Sequence, residues 1–306
     1  MVRSAVFSSI DLELTNHCSQ RCVLCPRAAL RRKRGMMSES VFAGIVDALQ
    51  PAQHYFTLCG LGDPLLHPKI YDFVAALTRL GSPPLVFVNP GSLTPSNIER
   101  LVASAPGGIN VSFHSLRPEV FAVLMPHIAF EKALAVTFEL ISRARSCGIE
   151  VQVGGIATRV NEDEGPSFRQ FWGERGVWSN WTDCHGRGGN LVAPGLYRPS
   201  PETTGLHGGP CGLFSFHSFV TWEGVVLACC NDMTGETALG DLVKDGIERV
   251  IERKERVLRD GKFFPLCDTC DVGIRFLRAV RQAPELPSRE ALLAFVHDCW
   301  APCLSD

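Results

Sequence analysis

Three cysteines near the start of the chain, Cys18, Cys22 and Cys25, stand in a CX3CX2C array. Thiolates on one short loop can grip three irons of a [4Fe–4S] cluster; a cluster takes four ligands, so one iron stays open to an outside molecule. Catalytic zinc sites follow the same logic, with the missing protein ligand as the reactive position. A zinc knuckle or a set of buried thiols is the competing reading of this spacing. Cys267 and Cys270 form a CX2C pair far downstream, preceded by Cys211, Cys229 and Cys230. Paired with Cys299 and Cys303, Cys267 and Cys270 would instead make a zinc ribbon. The turn Gly60-Leu61-Gly62-Asp63-Pro64 offers bare backbone carbonyls, which can accept hydrogen bonds from a cation.

Composition narrows what such groups can serve. The chain has 306 residues, 45% hydrophobic and 20% charged. It is long enough for about two domains, at roughly 150 residues each, and too apolar to be disordered. A net charge of -2 gives no global attraction for nucleic acid or an anionic membrane. No apolar run approaches the ~20 residues needed to span a bilayer. The opening MVRSAVFSSIDLELTNHC lacks the apolar segment of a signal peptide, so a cytoplasmic location is expected. In such a reducing compartment, 13 cysteines read as metal ligands or reactive groups rather than disulfides.

The elements that must position these groups alternate. Strands are expected over Phe7–Leu14, His54–Leu58, Leu85–Val88, Ile109–Phe113, Glu150–Ile156 and Val177–Thr182. Helices are expected from the Ser38 cap to Leu49, and over Tyr71–Leu80, Phe130–Cys147 and Ser167–Arg175. Strands spaced by helices form parallel βαβ units, and six of them make an α/β fold, a partial (βα)6 TIM-like barrel. Loops after barrel strands form the catalytic face. The cysteine triplet follows the first strand and the Gly60 turn the second. Residues 1–185 are assigned to this barrel. The Gly- and Pro-rich stretch 186–210 reads as a linker or lid. Residues 211–306 read as a small α+β domain, with a hairpin about Glu223-Gly224, a helix over Leu242–Arg259 and a final helix over Arg289–Cys299. Cys59 and Cys147 are expected in the core.

On the residues Glu13-Leu-Thr-Asn-His-Cys18 through Cys25-Pro26-Arg27, the chain resembles the radical S-adenosylmethionine (SAM) superfamily, over nearly its whole length. The resemblance implies that the open iron chelates the amino and carboxylate groups of SAM. An electron from the cluster then cleaves SAM to methionine and a 5′-deoxyadenosyl radical, which abstracts hydrogen from an unactivated carbon. It also implies that Gly60, Gly62, Asp63 and Pro64 form the turn that meets the SAM ammonium, although the family's usual acid there is Glu. Ser112 and Asn161, at later strand ends, are candidates to touch the SAM ribose or carboxylate, as are Asn89 and His114; each could equally be a hydrogen-bonded turn residue.

The later cysteines resemble the twitch domain, a shortened SPASM domain that binds one auxiliary [4Fe–4S] cluster. Cys211, Cys229, Cys267 and Cys270 are the implied ligands. Cys230 is set aside because neighbours on an extended segment point to opposite faces. Two [4Fe–4S] clusters and SAM are thus the implied cofactors. A twitch domain on a six-strand core resembles aminoglycoside-biosynthesis enzymes, both aminocyclitol dehydrogenases and epimerases. Cys184 ends the sixth strand, and its weak S–H bond could return a hydrogen atom to a substrate radical, which favours the epimerase. Arg187 is a candidate to hold the SAM carboxylate or a polar substrate, and His185 is either a base or a loop residue. The expected substrate is an aminoglycoside or related sugar. The cation run Arg27, Arg31, Arg32, Lys33, Arg34 is expected as a solvated loop, or as a docking site for a flavodoxin-like or ferredoxin-like electron donor. A peptide-modifying radical SAM enzyme and a non-catalytic metal scaffold share the same cysteines.

Overall fold

The computed structural model describes residues 7–191, 194–197 and 211–270. Strand β1 (Ser9–Leu12) leads through α1 (Glu39–Leu49) to β2 (Tyr55–Leu58), and α2 (Ile70–Arg79) leads to β3 (Leu85–Val88). Helix α3 (Pro95–Ala103) precedes β4 (Gly108–Ser112). Helices α4 (Pro118–Leu124) and α5 (Phe130–Ser146) precede β5 (Val151–Ala157), and α6 (Gly165–Gly173) precedes β6 (Trp178–Asp183). Then come α7 (Gly212–Phe216), β7 (His217–Val220), β8 (Val225–Leu227), β9 (Ala238–Asp241), α8 (Ile247–Asp260) and α9 (Pro265–Asp268).

Backbone hydrogen bonds join the nine strands in one sheet, in the order β6-β5-β4-β3-β2-β1-β7-β8-β9. Strands β1 to β6 pair in parallel, as six βα units require. Strand β7 also runs parallel to β1, with Asp11 opposite Phe219, and β8 and β9 follow antiparallel. The expected hairpin about Glu223-Gly224 therefore extends the barrel sheet at its β1 side. The final helix expected at Arg289–Cys299, with Cys299 and Cys303, lies outside the described residues, as does most of the expected lid.

Local chemistry explains the element ends. Ser38 accepts a hydrogen bond from the Val41 N–H and starts α1. Helix α3, absent from the sequence expectation, begins with Thr94 accepting from the Asn97 N–H and Pro95 in the first turn. The helix expected from Leu242 starts only at Ile247. The Leu242 N–H bonds the Gly224 carbonyl, and the Asp241 carboxylate takes the Val243 and Lys244 N–H groups, which fixes a turn instead.

The sheet has two unlike faces. On the helix side, Phe113 packs edge-on against Trp172 at 5.7 Å and Trp181 against Phe168 at 4.7 Å. Ile109, Val111 and Val153 share that side by alternation and are fully buried. The intervening residues on the other face include Asp11, Asn110, Ser112, Gln152, Asn180 and Thr182. Apolar burial thus anchors the strands from outside and leaves the inner face free for polar work. No helix among the described residues is long and apolar enough to cross a membrane.

Candidate active site

The cysteine loop is built from its backbone outward. Asn16, fully buried, donates to the Lys33 carbonyl at 2.8 Å and accepts from the Gly35 N–H at 2.9 Å. Thr15 donates to the Gly35 carbonyl at 2.8 Å. These bonds staple the loop's start to its return. Arg27 clamps the interior, donating to the Cys18 carbonyl at 2.9 Å and to the Gln20 carbonyl. The Gln20 N–H points at the Cys18 sulfur, 3.3 Å away, and the Cys25 N–H bonds the Cys22 carbonyl.

The three thiols feel one another. Burial raises Cys18, and burial followed by Cys25 and Cys18 pushes Cys22 up to about 12. A cation held among them would relieve that repulsion and favour the thiolates. Among the described residues, no three His, Cys, Asp or Glu side chains form a ready-made site for a single ion. The fit to a cluster therefore rests on the donor set: three soft sulfurs on one clamped loop, with an N–H aimed at one of them. Gln20 adds a buried side-chain oxygen, Oε1, with no hydrogen-bond partner, which suits an incoming donor such as an ammonium group.

The Gly60 turn is wedged against this loop. A Cβ on Gly62 would stand 2.1 Å from the Thr15 carbonyl oxygen, so only glycine permits the approach. The Asp63 N–H bonds the His17 carbonyl at 2.8 Å. Gly60 lies against Glu13, whose carboxylate accepts from the Leu61 N–H at 3.2 Å. The Asp63 carboxylate is committed within the protein. It accepts from the Leu65 N–H at the start of the turn that Pro64 opens, and from Ser92 Oγ in the β3 loop. Burial raises its pKa. Asn161 is similarly occupied. Its Oδ1 accepts from Thr158 N and Oγ1, and its Nδ2 donates to the carbonyls of His114 and Ile156. It shapes the rim beyond β4 and β5 with its hydrogen bonds already used. Ser112 ends β4 half-buried on the inner face.

Within the cation run Arg31, Lys33 and Arg34 are exposed, as a solvated loop requires, whereas Arg27 and Arg32 are not. Arg32, with a side chain 6% exposed, makes a bidentate pair with the fully buried Glu13 at 2.9 and 3.2 Å and lies over Phe219. Lys33 lies over Trp222. Arg27 therefore clamps the cysteine loop from within, and Arg32 ties it to Glu13 and Phe219. Spacing alone could not separate them from their exposed neighbours.

Cys184 is 8% exposed, fixed by its N–H on the Ala157 carbonyl at 2.8 Å, and its thiol faces the His185 carbonyl at 3.8 Å. The His185 ring accepts from the Arg187 N–H at 3.2 Å, a loop-shaping contact. Arg187 has a positive φ of 53°. Burial, followed by the nearby Arg187 charge, lowers His114 to about 4. The same guanidinium acts on Cys230.

The later thiols divide. Cys211 lies near Cys270 and Cys267, and Cys229 near Cys270 and Cys211. Burial pushes Cys211 up to about 11 and Cys229 well above the ordinary thiol value. Cys230 feels Asp11 and Arg187 most and Cys270 after them. Cys59 was expected in the core but faces Asp11 and Cys230 on the inner side, and Cys147, also expected there, is exposed. Periodicity buries a residue at the end of a four-residue strand without saying on which face.

Comparison with known proteins matches residues 12–166 to the radical SAM superfamily model. A tungsten-containing aldehyde ferredoxin oxidoreductase cofactor-modifying protein of Pyrococcus furiosus is 23% identical over 175 residues, which is 54% of this chain and 48% of that protein. The chain spans about half the length of the curated relatives it matches. The structure of BtrN in complex with AdoMet (SAM) and 2-DOIA is similar with a TM-score of 0.56 at 18% identity, covering 87% of this chain and 93% of BtrN. Streptococcus suis SuiB bound to its precursor peptide SuiA gives a TM-score of 0.68 at 12% identity, covering 91% of this chain and 74% of SuiB.

Proposed function

Since the chain belongs to the radical SAM superfamily, we propose that it inverts a carbinol carbon of an aminoglycoside or related sugar, with Cys184 returning the hydrogen atom. Membership brings a [4Fe–4S] cluster and SAM, and we assign that cluster to Cys18, Cys22 and Cys25. A second cluster is assigned to Cys211, Cys229, Cys267 and Cys270. Bound together, the first cluster and SAM supply the 5′-deoxyadenosyl radical that takes a hydrogen atom from the substrate carbon.

The chain's own residues handle the rest. Arg27 and Asn16 keep the loop in shape, and Asp63 ties the β2 and β3 loops together beneath it. We assign Arg187, whose charge acts on His114, to hold a carboxylate or a substrate hydroxyl. In the inversion, the Cys184 S–H bond breaks and a C–H bond forms on the opposite face of the substrate carbon. The sulfur radical left behind takes an electron from a ferredoxin-like or flavodoxin-like donor and a proton from solvent. The observation that carries this reading is the Cys184 thiol itself, 8% exposed at the end of β6. Shelter from water suits a group that must quench a carbon radical before other donors do.

The test is an anaerobic reaction in D2O with a panel of aminoglycosides. Inverted product should gain one solvent-derived deuterium at the changed carbon, and Cys184→Ala should consume SAM without inversion. Normal inversion by that variant would refute the assignment. The gathering of Cys211, Cys229 and Cys270 favours a second reading, dehydrogenation of an aminocyclitol to a ketone, with the second cluster accepting the electron. A ketone product without solvent deuterium would select it.

A further inference from the structure

The inner face of the sheet carries polar groups that the loops above it do not use. Alternation puts Asp11 and His217 on that face: Lys254, packed on the other side, donates to Ser218 Oγ at 2.9 Å and to the His217 carbonyl. Asp11 and His217 meet at 3.2 Å, and the Asp11 side chain keeps 16% of its surface open. Among the described residues this imidazole is its only ion-pair partner, whereas Glu13 one layer above is neutralised by Arg32.

Across the sheet, Asn110 is 2% exposed and its Nδ2 has no hydrogen-bond partner. His114, two turns of the alternation nearer the rim, is 7% exposed with Nδ1 equally unpartnered. A buried polar atom without a partner destabilises the free protein unless something fills it. Both groups belong to one strand and its end, on the inner side. Beside them Gly154 lets two carboxamides converge, because a Cβ there would stand 2.7 Å from the Asn180 amide oxygen and 3.2 Å from that of Asn110. This part of the inner face is floored by carboxamides, and Asp11 puts a carboxylate on the same face of the sheet.

We propose that this part of the inner face forms a recess for an amino-polyol, with the ammonium group on Asp11 and the hydroxyls on Asn110 and His114. The inference deepens the function proposed above and rests on it for the site's chemistry. Asp11 supplies charge selectivity, since a carboxylate whose ion-pair partner is an imidazole attracts a cation where a neutral polyol gains little. Asn110 supplies the hydroxyl contact and has a cost in the free protein. That combination is the signature of a group kept for a ligand rather than for folding.

The experiment is calorimetric titration of the reconstituted, SAM-loaded holoenzyme with scyllo-inosamine and with scyllo-inositol, which differ by one amine. The amine should bind about tenfold tighter or more, the range expected of a hydrogen bond to a charged group. Asp11→Asn should remove that preference while leaving scyllo-inositol affinity within about threefold. Asn110→Leu should weaken both probes roughly tenfold without lowering the melting temperature, since it also removes an unpaired buried donor. Equal affinity for the two probes, no binding of either, an unchanged preference in Asp11→Asn, or Asn110→Leu melting lower with its binding intact would each overturn the inference. An enzyme that converts an amino-polyol yet keeps its preference in Asp11→Asn refutes the recess and spares the reaction. One with amine selectivity but no product refutes the reaction and spares the recess.

Discussion

The two cysteine sets are held in opposite ways. Cys18, Cys22 and Cys25 lie within eight residues, on a loop clamped by Arg27, Asn16 and the glycine turn. Cys211, Cys229 and Cys270 come from three separate segments that the β7–β8 hairpin and α9 bring together. A local set depends on loop geometry, and a dispersed set on the fold around it. The first should therefore tolerate changes in the C-terminal region, whereas the second should report on them.

Replacing one thiol of each set separates the two most sharply. Cys18→Ala should abolish SAM cleavage and lose about four irons per chain. Retained cleavage would remove the primary assignment. Cys229→Ala should lose a similar complement of about four irons from the other end. Cys230→Ala, whose thiol faces Asp11, should keep the iron of both sets. If iron content falls in Cys230→Ala instead, the ligand choice between these neighbours is reversed.

Smaller effects probe what supports the first loop. Arg32→Met leaves Glu13 charged and fully buried, and loss of one partner of such a pair costs about 3–5 kcal/mol, measurable by denaturant unfolding. No change in stability would show the pair to be dispensable. His114 provides a pH-dependent check. Its folded pKa is lowered to about 4 from 6.5, so between these values the unfolded chain binds more protons. Its contribution is present in full above pH 6.5 and fades as pH falls toward 4. His114→Asn should flatten that slope, by at most about 3 kcal/mol across the window. An unaltered slope would mean that other groups set it.

The six parallel strands and the cysteine loop were legible in the sequence because each rests on short-range pattern: alternation, a capping serine, thiol spacing. What was not legible depends on partners far along the chain. Arg32 reads as one cation in a run until Glu13 and Phe219 fold over it. Asn161 reads as a ligand candidate until four hydrogen bonds occupy its amide. Cys59 and Cys230 become neighbours only through the strand order that sets β1 between β2 and β7. Helix α3 has a readable start in Thr94-Pro95, a short signal that the neighbouring Asn89-Pro90-Gly91 turn masks.

The most direct test is electron paramagnetic resonance of the reduced double variant Cys267→Ala/Cys270→Ala, in which only the first set can hold a cluster, recorded with and without SAM. A [4Fe–4S] signal whose g values shift when SAM is added is expected, because one iron lacks a protein ligand. A signal indifferent to SAM, or none at all, would contradict it.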